Sequence, residues 1–156
     1  MKKTILAPEL ADLPGSDYET TASSLAVITH HDDHRAVNVS GLAYPGVETI
    51  TAQTRTILEF LEKLLETELD GSLEDITVTR FFVVESKLTT ETRVRIHELR
   101  HEFFSPQHRP ASTMVGVSAL ADERMHIELE VEAVIPDSGW ETNVVSLSAT
   151  EDADTS

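Results

Sequence analysis

The sequence predicts a layered α+β domain, two helices packed on one face of a mixed sheet, in the order β-β-α-β-α-β-β. Three observations predict it. Apolar residues fall three and four apart at Ile50, Ile57, Leu58, Leu61, Leu64 and Leu65, and again at Ile96, Leu99 and Phe103, which marks two amphipathic helices. Between them, Ile76 to Val84 reads Ile-Thr-Val-Thr-Arg-Phe-Phe-Val-Val, a β-branched and aromatic strand. Near the end, Ile127, Leu129 and Val131 alternate with Glu128, Glu130 and Glu132, the period-two mark of a strand with one buried face.

The elements follow in order. Residues 1–24 carry Pro8, Pro14, Gly15 and Ser16 without a sustained period, so an irregular lead-in is expected. Leu25 to Thr29 and Ala36 to Ser40 form a hairpin around His30-His31-Asp32-Asp33-His34-Arg35, and Tyr44-Pro45-Gly46 is turn chemistry. The first helix runs from about Glu48 to Thr67 and stops at Asp70-Gly71-Ser72; a right-handed parallel crossover then leads into an interior strand from Ile76. Thr89 or Thr90 caps the second helix, which continues to about Phe104 with Pro106 beyond its end. Two extended runs, His108 to Leu120 and His126 to Ala133, flank a polar turn at Ala121 to Met125 and read as a closing hairpin in which Val115 and Val117 face inward. Asp137-Ser138-Gly139 turns the chain, Trp140 to Leu147 adds an edge strand or docks on a neighbour, and Ala149 to Ser156 is expected to be disordered. The domain is thus expected at 25–135, followed by an extension at 136–156. Helices on one face leave the other to be covered by an oligomer.

Composition sets limits on function. The 156 residues, 40% hydrophobic, suffice for one domain with a core. No apolar run approaches the ~20 residues that span a bilayer, and the start breaks at Pro8 before a signal-peptide core can form, so a cytoplasmic protein with no membrane partner is expected. The chain has no cysteine, which excludes disulfides, thiolate catalysis and zinc sites built on cysteine. Its 28 Asp+Glu against 12 Lys+Arg give a net charge of −16, a field that repels nucleic-acid phosphate, and no nucleic-acid partner is expected. Only Lys2, Lys3, Lys63 and Lys87 are lysines. An acidic, lysine-poor surface adapted to high salt and acidic tails on an ordinary domain both account for this; the spread of acid along the whole chain favours the halophilic surface.

Ser40-Gly41, Ala52-Gln53-Thr54-Arg55, Leu73-Glu74-Asp75-Ile76, Phe81-Phe82-Val83-Val84, Phe103-Phe104, Pro110-Ala111 and Glu130-Val131-Glu132-Ala133 occur in an order and near a spacing that resembles the RidA (YjgF, or L-PSP) family. The resemblance covers roughly Leu25 to Ile135 and implies a chorismate mutase-like domain, a homotrimer with clefts between subunits, and no cofactor. The best-known members hydrolyse 2-imino or enamine acids to 2-keto acids and ammonia. By the same resemblance Ser40 lines the cleft, Glu130 positions the attacking water, and Pro110-Ala111 precedes the family's key arginine. Here that position is Ser112. A guanidinium grips a carboxylate with two parallel bonds, whereas a hydroxyl offers one weak contact. Arg109 is the nearby substitute, but three residues away on extended chain it points to the opposite side. His97 stands where deaminating members carry a cleft asparagine. The resemblance therefore implies a small organic ligand held by Ser40, His97, Arg109 and Ser112, with the standard hydrolysis lost or altered; an active enamine/imine deaminase with another substrate or carboxylate anchor is the alternative, and a non-catalytic ligand-binding trimer is a third.

Other motifs have plainer readings. His97-Glu98-Leu99-Arg100-His101 is a literal H-E-x-x-H on a helix, which in zinc peptidases sets two imidazoles on one face; no third ligand lies at the expected spacing, and two histidines at a cleft edge or surface explain it without metal. The His30 to His34 turn has ligands for a divalent ion but also the polar composition of a solvated turn. Glu128, Glu130 and Glu132 are by default a wet sheet face. Arg55 reads as an ion-pair or interface residue. Neither Ser112 nor Thr113 has a neighbouring base to activate a hydroxyl as nucleophile.

Overall fold

The computed structural model describes residues 1–7 and 22–147. Its elements are β1 (Lys2–Leu6), β2 (Ala26–His30), β3 (His34–Leu42), α1 (Ile50–Glu68), β4 (Ile76–Val84), α2 (Thr90–Phe103), β5 (Ala111–Val117) and β6 (Ile127–Pro136). The six strands form one sheet in the order β1-β2-β3-β6-β4-β5. It is mixed: β4 and β5 pair parallel, and every other neighbouring pair is antiparallel. Both helices lie on one face. Leu58, Leu61 and Leu65 of α1 and Ile96 and Leu99 of α2 share a buried core with Val37, Val39, Phe81, Val83, Ile127, Leu129 and Val131 of the sheet. No helix among the described residues is long and apolar enough to cross a membrane.

The helix ends follow from local chemistry. The Thr49 side chain accepts from the Ala52 amide and caps α1, and Thr89 accepts from the Thr92 amide and caps α2. At the other end of α1, Asp70 adopts φ 49°, the left-handed conformation that reverses the chain. The Arg35 guanidinium donates to the Leu69 carbonyl at 2.5 Å, supplying a cation where the helix presents unpaired carbonyls.

Three details differ from the sequence expectation. Lys2–Leu6 is a strand, set antiparallel on β2, where irregular chain was expected. A five-residue edge strand that is mostly exposed has too few buried positions to show a period. The rest of the lead-in, 8–21, lies outside the described residues, as does the expected disorder at Ala149 to Ser156. The two final strands are not a hairpin: β6 enters between β3 and β4, while β5 lies beyond β4, parallel to it. The parallel crossover β4-α2-β5 takes that edge first, and the polar 118–126 segment carries the chain back over β4. Val115 consequently faces the side without helices and is 40% exposed. Finally, 140–147 adds no edge strand; the Trp140 indole donates to Asp75 Oδ1 at 2.7 Å, and the residues after it are exposed.

One buried side chain ties the helix layer to the entry of β6. Gln53 of α1 is fully buried; its Nε2 donates to the Val47 and Arg124 carbonyls, both at 2.8 Å, and its Oε1 accepts from the His126 amide at 2.9 Å. Arg124 is held in turn by Asp122, whose carboxylate accepts from the Arg124 amide at 2.9 Å and from its guanidinium at 2.6 and 3.0 Å.

Gln53→Leu leaves these backbone groups without that partner and should lower unfolding free energy by about 2–4 kcal/mol, given ~1–3 kcal/mol for each buried group left unsatisfied. Urea unfolding measures it, and a loss below about 0.5 kcal/mol, the range of a neutral surface change, would contradict the clamp. The hydrogen bonds from Arg124 lower the Asp122 pKa from 3.8 to about 2. Because the folded value is the lower one, the pair's stabilisation is present above pH 3.8 and is lost as pH falls through about 2. An NMR titration should place Asp122 near 2, and Arg124→Gln should return it toward 3.8; an unshifted wild-type value counts against the contact.

Candidate functional site

Alternation along each strand decides which side chains reach which face. On β6, Ile127, Leu129 and Val131 are buried under the helices, so Glu128, Glu130 and Glu132 project from the helix-free face. Asn38 of β3 pairs with Glu132 and shares that face. The β3–β6 register shifts between Val39 and Leu42, a bulge that spans Ser40 and Gly41. Gly41 leaves room there for the Glu128 carboxylate, which lies over it and would have to swing aside for a Cβ. Beside the bulge, Ser40 and Glu130 line one groove of about 390 Å3 with Ser24, Val27 and Asn38. The Ser40 hydroxyl donates to the Ser24 carbonyl at 2.6 Å, so its proton is already engaged.

Glu130 has a partner that sequence reasoning missed. Arg80 stands opposite it on β4 and bridges two carboxylates, Nη1 to Glu130 Oε1 at 3.2 Å and Nη2 to Glu132 Oε1 at 2.6 Å. The Glu132 hydrogen bond, with the charges of Glu132 and Glu130, raises the Arg80 pKa further above its ordinary range. A signal for this residue exists in the sequence, as the single charge in a nine-residue β-branched and aromatic strand.

His97 and Arg109 meet on the other side of the sheet. They line a cavity of about 180 Å3 with Arg100, His101, Phe104 and Pro110, at the C-terminal half of α2 and the entry to β5. One helical turn apart, His97 and His101 place their Nε2 atoms 3.0 Å from each other, as two imidazoles at i and i+4 should. No third histidine or acid joins them in a metal-sized cluster among the described residues. They supply two of the four ligands that zinc usually takes. Arg100, also missed from sequence, stacks its guanidinium 5.4 Å from the Phe81 ring centroid, and burial pushes its pKa down.

Ser112 lies exposed on β5 and lines neither space. Its register partner is Thr79, buried beneath the helices, so Ser112 projects toward the helix side of the sheet edge. The extended-chain geometry that set Arg109 opposite Ser112 does not apply, because Arg109 precedes the start of β5. The five predicted residues therefore fall into two pairs on opposite faces, Ser40 with Glu130 and His97 with Arg109, and Ser112 stands apart from both.

The remaining motifs have partners elsewhere. In the histidine turn, His31 stacks on His34, His34 contacts Asp33 at 2.7 Å, and His30 hydrogen-bonds Thr4 of β1. Arg55 pairs with Glu102 at 2.7 Å and lies over Phe103, joining α1 to the end of α2.

No curated protein matches the chain. Among solved structures it is similar to Rv2704 of Mycobacterium tuberculosis, a YjgF/YER057c/UK114 family member, at 26% identity over 86% of this chain and 100% of that one, TM-score 0.65. It is similar to TM0215 of Thermotoga maritima, a candidate endoribonuclease, at 28% identity over 73% and 87% of the two chains, TM-score 0.59. NMB1025 of Neisseria meningitidis, a YjgF family protein at 18% identity over 88% and 98% with TM-score 0.67, supports the fold alone. The profile described as Endoribonuclease L-PSP matches residues 30–135, from the β2–β3 turn through nearly all of β6. With that match over most of its length and this sheet order, the chain belongs to the L-PSP family, the family of YjgF and RidA.

Proposed function

We propose that the chain is a small-molecule-binding homotrimer of the RidA type, its cleft formed between subunits from Ser40, His97, Arg109, Ser112 and Glu130, with the standard 2-imino acid hydrolysis lost or altered. The observation that carries this reading is Ser112. Where the family pattern has a guanidinium to hold the substrate carboxylate, this chain has an exposed hydroxyl with no base beside it. Glu130, the residue matched to water positioning, is held by Arg80, which restrains a general base from turning toward a water molecule. Endoribonuclease activity, which the family's description suggests, is opposed by the −16 charge of the chain.

The helix-free face supports assembly. Ile5 and Val115 are 54% and 40% exposed there, beside half-buried Val27 and Phe82, and no described element covers them. A second reading, a working deaminase anchored by Arg109, is favoured by the shared cavity of Arg109 and His97.

Light scattering should return three times the 17.2 kDa chain mass; a monomer at micromolar concentration defeats the intersubunit cleft. In the activity test, an amino-acid oxidase generates 2-iminopropanoate and its disappearance is followed. The wild-type chain should leave the buffer rate unchanged, and Ser112→Arg in an assembled protein should accelerate it. Acceleration by the wild type would refute the loss of hydrolysis and favour the Arg109-anchored deaminase. A silent Ser112→Arg variant would show that the serine is not the sole cause.

A further inference from the structure

We propose that the cavity between α2 and the entry to β5 binds the oxyanion head, a carboxylate or phosphate group, of a small organic molecule, with Arg100 and Arg109 as its two anchors. The reason lies in how the chain distributes its cations. With 12 Lys+Arg, four of them lysines, it has eight arginines. Six have polar partners: Arg35 with the Leu69 carbonyl, Arg55 with Glu102, Arg80 with Glu130 and Glu132, Arg93 with Thr90, Arg95 with Glu98, and Arg124 with Asp122. The two with no side-chain hydrogen bond or ion pair among the described residues are Arg100 and Arg109, and both line this cavity.

In a chain with 28 carboxylates, a cavity lined by two arginines and two histidines with no acid reverses the local sign of the field. Arg100 sharpens the point. Its Nε is buried without a partner and its guanidinium carbon lies 5.4 Å from the Phe81 ring centroid, so no protein acceptor draws this side chain away from the cavity it lines. An oxyanion in the cavity accepts from that guanidinium and from that of Arg109, and it can take a donor from His97 or His101. Phe104 and Pro110 offer apolar walls for the rest of a small ligand. Two guanidinium groups beside the imidazole pair oppose a divalent cation at the same place.

The site shares His97 and Arg109 with the proposed cleft and in that respect rests on that reading; anion binding is measured apart from chain mass and imine loss, so its failure removes these anchors while leaving the trimer and the Ser112 tests to stand or fall on their own. The test is calorimetric titration of the full chain with inorganic phosphate and, separately, with acetate, at constant ionic strength in chloride. Saturable binding of one or both is expected; phosphate alone assigns a phosphate head, acetate alone a carboxylate. Arg109 is exposed, so Arg109→Gln keeps the fold and should weaken binding by about ten-fold, the scale of one charge-assisted hydrogen bond. Arg100→Gln should do the same. Arg95→Gln makes an equal change of charge on the same helix away from the cavity and should stay within about two-fold, as a screened surface charge does. The proposal is overturned by the absence of saturable binding to either anion, by an Arg109→Gln variant that binds as the wild type does, or by Arg95→Gln weakening binding as much as Arg109→Gln.

Discussion

The sheet depends on β6 hydrogen-bonding along both of its edges. Remove it, and β1-β2-β3 is separated from β4-β5, with no strand pairing to join the two groups. It is also the last strand among the described residues, so the sheet closes only when this late segment finds a slot between elements laid down much earlier. Such pairing carries a large loop-closure cost, and the strand has to offset it locally. It does so with five buried residues, Ile127, Leu129, Val131, Ala133 and Ile135, on one face, and through Gln53, which grips the backbone just ahead of it.

The same strand creates an electrostatic problem. Alternation that buries those apolar residues sends Glu128, Glu130 and Glu132 to the opposite face, three acids in a row in a chain already at −16. Two structural features absorb them. The glycine at the bulge lets Glu128 lie over backbone, and Arg80 spans Glu130 and Glu132 from the neighbouring strand. A residue matched to catalysis is thus also part of the charge balance of the sheet. That dual duty fixes its carboxylate more firmly than an exposed strand glutamate would be, since one guanidinium restrains two side chains at once.

What could be read from sequence tracks how regularly burial repeats. The α1 face and the β6 alternation repeat many times, and both elements lie within about three residues of expectation. The β1 strand is short and exposed, and so gives no signal. Pairing of β5 with β6 was misread because sequence adjacency favours hairpins, and nothing local to Val115 says that β4 will come between them. The site residues were found by order and spacing, which locate positions along the chain but not across the sheet. Hence Ser40, Glu130, His97 and Arg109 were named while their division between two faces was not. Arg80 and Arg100 lay outside the motifs; each is visible only as a charge set among residues that should be buried.

The consequence for chemistry lies in where a positive charge can meet a ligand. A guanidinium at position 112 would extend from the β5 strand, beside Thr79. The free guanidinium groups of this chain instead stand on α2 and on the loop ahead of β5, within the cavity that holds His97. An anionic head anchored there is displaced toward the helix layer, away from the strand position the family pattern uses. Glu130 projects from the opposite face of the sheet and is already committed to Arg80, so within one chain it lies out of reach of a molecule held in that cavity. Since general-base catalysis fails when the proton to be moved is out of hydrogen-bond reach, relocating the anchor changes the reaction as effectively as deleting it. The proposed anchor lies outside the β6 core, so a change of chemistry there and retention of the fold are compatible.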